Sequence, residues 1–335
     1  MKPYAVSMFM RRPLRAQHSI ERLFSAIRKH LPSDIACTPH ICSHESIGLW
    51  RRLAIILEAA RRQADVNHVT GDVHFITLFM RRNSTILTIH DLAPLDRLTG
   101  LKRWLFRLIW LRIPVRRSRI VTAISTATRD HVRRALGGIS ADIRVIPDCL
   151  CDGFDPYPKP FNTDCPTVLI IGLSPNKNFH RVVQALHGIH CMLRVIGDLT
   201  PELAETLMRY EISYTSDSQL TDQAIIEEYR KCDLLVFAST SEGFGLPILE
   251  AQAVGRPVIT SNVSPMPEVA GDGAELVDPF DTESIRAGIL RIIFDEQRRK
   301  ELVERGFSNA RRFSAAAVAE QYAELYREVA QRRMR

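Results

Sequence analysis

Short apolar runs, each followed by a helix-forming stretch, recur through both halves of this 335-residue chain and restrict it to an α/β fold. Leu234-Leu235-Val236-Phe237-Ala238 has no polar position at which to face water, the pattern of a strand buried on both faces. In the first half the pattern predicts strands over Tyr4 to Met8, Asn67 to Thr70, Thr85 to Ile89, Arg119 to Ala123 and Ile143 to Ile146. Helices are predicted over Ser19 to His30, Ser46 to Gln63 and Ser125 to Leu136, the last with a Ser125 or Thr126 cap. Strands restart at Thr167 to Ile171 and continue at Leu193 to Ile196, Leu234 to Ala238, Pro257 to Thr260 and Glu275 to Val277. Between them, residues 147–166 gather Pro156, Pro158 and Pro160 with Gly153, which reads as a linker. Two doubly wound parallel sheets are therefore expected, in domains 1–155 and 156–315, with a terminal helix over 316–335.

A hydrophobic content of 45% with 25% charged residues is ordinary globular composition and excludes a disordered chain. The N-terminal residues read as a first strand rather than a leader, and no apolar stretch approaches the ~18 residues of a spanning helix. The seven cysteines are scattered without paired C-x2-C spacing, which predicts reduced thiols, a cytoplasmic protein and no metal site. The net charge of +7 comes without a nucleic-acid-binding signature, so no nucleic acid partner is expected. Charge is concentrated between Leu101 and Arg119, which hold seven basic residues and no acid, interleaved with Trp104, Phe106 and Trp110. Two readings stand here: a helix whose apolar face packs inside, or a surface for an anionic membrane.

The strand at 234–238 leads into a polar, glycine-bearing loop, Ser239 to Gly245, and then into a helix begun by Pro247 and ended by Gly255. A strand, a tight loop and a helix N-terminus make an anion site, because unpaired N–H groups and the helix dipole point the same way. Glu242 and Glu250 are unexpected beside a phosphate, which they would repel. They fit a ligand that also presents hydroxyls, as a nucleotide sugar does on its hexose and its ribose. On spacing alone they read equally well as a solvated loop charge and a dipole-favoured helix residue.

Glu242-Gly243-Phe244-Gly245-Leu246-Pro247-Ile248-Leu249-Glu250 resembles the E-x7-E signature of glycosyltransferase family 4, the retaining GT-B enzymes. The likeness continues through Ala251 to Asn262 and Met266 to Gly271, and with weaker matches covers nearly the whole chain. The resemblance implies two Rossmann-like domains facing a cleft, with the C-terminal helix crossing back to the N-terminal domain. It implies a UDP- or GDP-sugar donor, a glycan or lipid-linked acceptor, and neither cofactor nor metal. Donor binding falls to Gly172, Ser174, Asn176 and Lys177 after the first strand of the second half, and to Gly243, Phe244, Gly245, Leu246 and Glu250. Glu250 would hold the ribose and Glu242 a sugar hydroxyl near the reacting carbon. His90, at the end of the strand Thr85 to Ile89, would contact the transferred sugar, with Asp91 structural or orienting its ring.

Acceptor-side candidates are Asp72 and His74, around a glycine turn, Asp91 after His90, and Arg15, in a first loop of arginines suited to an anionic acceptor; the turn at 71–74 also reads as simple structure. The chain departs from the family in three places. It has no glycine before Gly48, no arginine beside Lys177 where Leu173 or Ser174 stands, and Asp148 in a turn that is usually Ile-Pro-Asn-Gly. These departures keep a second reading in view, a catalytically degenerate partner subunit that still binds a nucleotide sugar or glycan. A dinucleotide dehydrogenase is excluded, since no G-x-G-x-x-G follows a strand. No D-x-D pair is present, so neutralisation of the diphosphate is expected from Lys177 and the helix N-terminus.

Overall fold

Each apolar run becomes a buried strand in the computed structural model, which describes residues 3–12 and 19–334. The chain divides into one unit of Met1–Cys149 with Ala315–Arg335 and a second of Leu150–Ser314. The division falls ahead of the expected 155/156 boundary, so Gly153, Pro156, Pro158 and Pro160 of the 147–166 stretch lie in the second unit.

The first unit holds a six-stranded parallel sheet in the order β2-β1-β3-β4-β5-β6. Its strands are β1 (Tyr4–Met10), β2 (Ile35–Ile41), β3 (Val66–Val69), β4 (Thr85–Ile89), β5 (Ile120–Ala123) and β6 (Ile143–Val145). In the second unit the order is β12-β11-β10-β7-β8-β9. Those strands are β7 (Thr167–Ile171), β8 (Met192–Ile196), β9 (Tyr214–Asp217), β10 (Leu234–Phe237), β11 (Val258–Ser261) and β12 (Glu275–Val277). In each sheet the order reverses beside the first strand, β1 and β7 respectively, and that switch opens a crevice at the C-terminal strand ends.

Both strands that the pattern did not predict, β2 and β9, lie at sheet edges. Their sequences, IACTPHI and YTSD, are polar at alternate or successive positions because an edge strand is only partly covered. Pro39 is tolerated in β2 for the same reason.

The final helix, Ala315–Met334, packs within the first unit. Its buried face carries Tyr322 and Tyr326, both fully buried. Tyr326 Oη lies 2.7 Å from His68 Nδ1, and His68 Nε2 lies 2.7 Å from Thr88 Oγ1. Burial, and then the neighbouring His90, push the His68 pKa down to about 3, so this ring is neutral. The helix is thus anchored by a polar network inside an apolar core. Tyr326→Phe would leave one ring nitrogen of His68 buried without a partner, which costs about 1–3 kcal/mol. Urea unfolding at neutral pH reads this directly, and an unchanged midpoint would show that the hydroxyl is dispensable.

Candidate functional site

The second unit brings two loops together at the ends of β7 and β10. After β7, Gly172 turns the chain at φ +83, where a Cβ would lie 3.0 Å from Lys177 Cε, so glycine lets the lysine stem cross the turn. A single 3-10 turn, Pro175–Lys177, follows, and Asn178 then takes a left-handed conformation at φ 61. Asn178 is buried, and its Nδ2 donates to the carbonyls of Ala238 at 3.0 Å and Pro279 at 2.6 Å. Thr240 N donates to Asn176 O at 2.8 Å. The first loop is therefore stitched to the second through backbone groups as well as side chains.

Lys177 Nζ reaches Glu242 Oε1 at 2.6 Å and lies 4.5 Å from the centre of the Phe237 ring. Asn176 Nδ2 donates to the same carboxylate oxygen at 3.2 Å and to Ser241 O at 2.9 Å, and Ser174 Oγ donates to Asn176 Oδ1 at 2.7 Å. Asn176 and Lys177 thus bond Glu242 directly, Ser174 supports Asn176, and Gly172 makes room for the Lys177 stem. The structure pairs Lys177 with the carboxylate itself, so any anion that used this ammonium would have to displace Glu242. Arg181, the nearest candidate for the missing arginine, is held by Asn178 Oδ1 at 2.9 Å.

Beyond Glu242, Gly243 and Phe244 lead to Gly245 at φ +120 and the helix Leu246–Val254, with Pro247 in its first turn. Phe244 is buried edge-on against Phe313, so only its backbone can face a ligand. The helix ends at Gly255, where a Cβ would sit 2.6 Å from Phe307 Cζ. One turn in from its start, Glu250 Oε2 accepts a hydrogen bond from Tyr229 Oη at 2.6 Å. Burial, and then the charge of Glu250, hold the Tyr229 phenol well above its ordinary pKa, so it stays a donor.

The first unit places His90 at the end of β4, buried among groups that accept hydrogen bonds. His90 Nε2 lies 3.0 Å from Thr70 O, and its Nδ1 lies 3.6 Å from Asp148 Oδ1. Burial opposes charge on the ring, but the Asp148 carboxylate and then Asp72 outweigh it, and the pKa is raised. Asp91 does not orient this ring. Its Oδ1 accepts from Ala93 N at 2.9 Å, the first residue of the short helix Ala93–Arg97, because two residues of separation favour that local bond. Asp148 takes the orienting position instead.

Asp72 is exposed and pairs with Arg11 at 2.9 Å, while Arg11 also binds Glu21 at 2.9 Å. His74 is buried and kept neutral chiefly by that burial; its Nδ1 lies 2.9 Å from Trp110 O, and its Nε2 has no partner among the described residues. The two residues therefore diverge, one to a surface ion pair and one into the core. Arg15 lies outside the described residues. Among the described residues no group of three or more His, Cys, Asp or Glu side chains gathers as a metal site.

A cavity of about 810 Å³, lined by Tyr157, Lys159, Phe161, Arg299 and Phe307 among others, holds none of the expected site residues. It opens beside Asp233 and Pro257, which precede β10 and β11, so it lies at the opposite end of the sheet from the Glu242 loop. Two of its cations already have protein partners: Lys159 binds Asp233 at 2.5 Å, and Arg299 donates to the carbonyls of Ile292 and Ile293. The paired carboxylates and lysine therefore mark the candidate site.

Two family models match in tandem: Glycosyltransferase Family 4 over residues 5–150 and Glycosyl transferases group 1 over residues 155–309. O-antigen chain mannosyltransferase B of Escherichia coli is 44% identical over 86 residues, which are 26% of this chain and 23% of that protein. The chain thus spans under a quarter of that relative's length. O-antigen chain mannosyltransferase RfbU of Salmonella typhimurium is 26% identical over 253 residues, 72% of this chain and 68% of that one. The fold is shared with sucrose-phosphate synthase of Thermosynechococcus elongatus, at TM-score 0.76 and 18% identity over 97% of this chain and 99% of that one. It is shared equally with Anabaena HepE, solved with UDP and glucose, at TM-score 0.76 and 16% identity over 97% and 100% of the two chains. With both halves matched in order, two parallel sheets of GT-B type and the E-x7-E loop in place, the chain belongs to glycosyltransferase family 4.

Proposed function

We propose that the protein is a retaining hexosyltransferase that moves a sugar from a nucleoside-diphosphate donor to a glycan or lipid-linked acceptor in bacterial surface polysaccharide synthesis. The observation that carries this reading is the Lys177–Glu242 pair set one loop away from the Tyr229-held Glu250. A cation for a diphosphate and two carboxylates for hydroxyls sit at the C-terminal ends of two strands of one sheet, where α/β folds bind ligands. The O-antigen relatives support the polysaccharide assignment, and HepE supports a nucleotide-sugar donor.

On this reading the ribose hydroxyls donate to Glu250, whose second role of accepting from Tyr229 fixes its rotamer. The arriving diphosphate draws Lys177 from Glu242 and leaves that carboxylate to a sugar hydroxyl. As the bond from the anomeric carbon to the leaving oxygen breaks, charge builds on the diphosphate. Lys177 and the amides of Phe244, Gly245 and Leu246 stabilise it there, without requiring a divalent cation. The leaving phosphate takes the acceptor's proton as the new glycosidic bond forms on the same face. The family pattern gives His90 a hydroxyl of the transferred sugar. Both ring nitrogens now face protein acceptors, so that contact requires Thr70 O or Asp148 to yield one N–H.

Thermal shift with UDP and GDP, on the native chain and on Glu250→Ala, tests the donor site. A ligand at 100 times its Kd stabilises by about 2.7 kcal/mol, a shift of a few degrees in Tm. Loss of Glu250 should weaken that binding by about 2–4 kcal/mol, given roughly 1.5–3 for each charged hydrogen bond. The variant also orphans the Tyr229 hydroxyl, so the ligand-induced shift is the readout rather than the absolute Tm. No shift with either nucleotide would favour the degenerate partner subunit.

Asp148→Asn should lower the His90 pKa, read from its imidazole resonances in an NMR titration. Because the folded pKa is raised above 6.5, the stabilisation it brings is complete below pH 6.5 and fades as pH rises through the folded value. The stability gap between native chain and variant should therefore close on the alkaline side. An unchanged titration would show that Asp148 does not hold the ring's charge.

A further inference from the structure

We propose that the segment 100–109, with the start of the helix Leu49–Arg61, is a docking surface for an anionic lipid bilayer. If residues 101–111 formed an ordinary amphipathic helix, the apolar positions 104, 105, 108, 109 and 111 would pack inside. The structure divides them. Phe106 stacks on Trp110 at 5.3 Å, Trp110 meets Phe75 at 5.2 Å, and Leu111 is fully buried. Ahead of them, the helix Gly100–Phe106 buries no residue at all. Leu101, Trp104 and Leu105 are 71%, 55% and 41% exposed, beside exposed Lys102 and Arg103. Nothing in this unit's own core accounts for a tryptophan and two leucines on that helix.

A second exposed cluster begins the helix Leu49–Arg61, where Leu49 is 68% and Trp50 81% exposed next to Arg51, with no acid in the first turn. The two clusters are tied at Arg52, whose guanidinium lies 4.6 Å from the Trp110 ring centre while it donates to Ser46 O. Tryptophan and leucine interleaved with lysine and arginine is the composition of a helix lying in a bilayer interface, rings among the headgroups and cations on the phosphates. A second copy of this chain fits less well. A two-fold contact would set this basic surface against itself, and residues 101–119 offer no acid to pair with it. A sheet of anionic headgroups satisfies every cation at once.

This deepens the proposed function by naming where a lipid-linked acceptor would be met, and it rests on that reading only for its biological purpose. The full chain is sedimented with phosphatidylcholine vesicles and with vesicles containing about 30% phosphatidylglycerol, the anionic charge that basic residues recognise. Binding to the second only, weakened by salt, is expected. Trp104→Ser with Leu105→Ser should abolish it with Tm unchanged, since neither side chain is buried. Should that pair fail to fold, Lys102→Glu with Arg103→Glu should lower the partition by at least about fivefold per residue. Equal binding to both vesicles, retention by both variants, or concentration-dependent dimerisation lost in the Trp104 variant would overturn the proposal. Vesicle binding and nucleotide binding are read separately, so failure of one leaves the other standing.

Discussion

The candidate site depends on the clasp between the loops after β7 and β10. Parallel strands deliver their loops to one sheet end but do not fix the loops against each other. Here Asn178, in a backbone conformation that Asn adopts more readily than most residues, sends its amide into two carbonyls of other segments. Asn176 adds a carbonyl and an amide to the same seam. Lys177, between them in sequence, is thereby set on Glu242 without having to order a long free side chain. Each buried amide hydrogen bond contributes only about 1 kcal/mol, but several in one loop select a single geometry. On the proposed function the ion pair is a resting arrangement that a diphosphate exchanges, because the lysine and the glutamate are positioned by different strands.

Glu250 is fixed from the other side of its helix. Gln252, two residues on, is buried and donates to the carbonyls of Ala270 and Gly273, while Asn309 donates to its side-chain oxygen. Gly273 must be glycine here, since a Cβ would lie 2.7 Å from Gln252 Nε2. The helix Leu246–Val254 is thus locked at its middle by a polar network and at its end by Phe307 against Gly255. A rigid helix with Tyr229 on the carboxylate leaves Glu250 one orientation to offer.

How much of this was legible in the sequence followed from where burial leaves a trace. Central strands such as β4 and β10 announce themselves because both faces are covered; β2 and β9 do not, because edges are half-wet. Glu242, Glu250 and Lys177 were readable through a resemblance carried in short local spacing, because spacing alone left them open to an ordinary structural reading. Tyr229 and Asp148 were not. Each acts across a separation set by the fold, 21 residues for Tyr229 to Glu250, and the helix Asp222–Lys231 carries no local sign of a partner. Of the two readings of Asp91, structural or orienting, the structure shows the structural one: adjacency in sequence suggested a partner for His90, whereas a strand end points successive side chains in opposite directions. The segment at 101–111 was readable in composition but not in how its apolar face would be shared between core and surface.

The two histidines of the first unit show what decides a buried ring's charge. His68 and His90 are both buried, and burial alone would make both neutral. His68 faces two hydroxyls, Tyr326 and Thr88, each able to donate or accept, so a neutral ring satisfies both. His90 faces a carbonyl and a carboxylate, which only accept, so full pairing needs an N–H on each nitrogen. Repulsion between the rings reinforces the division, since a charged His90 makes a charged His68 more costly. The signs of their contributions to stability are opposite. His68, with its folded pKa near 3, gives up its contribution as pH falls from 6.5 toward that value, whereas His90 gives up its own as pH rises. Near neutrality the unit therefore holds a neutral ring at His68, while Asp148 favours the charged form of the His90 ring at the end of β4. That preference is what an aspartate at 148, where the family's turn usually has asparagine, brings to the ring.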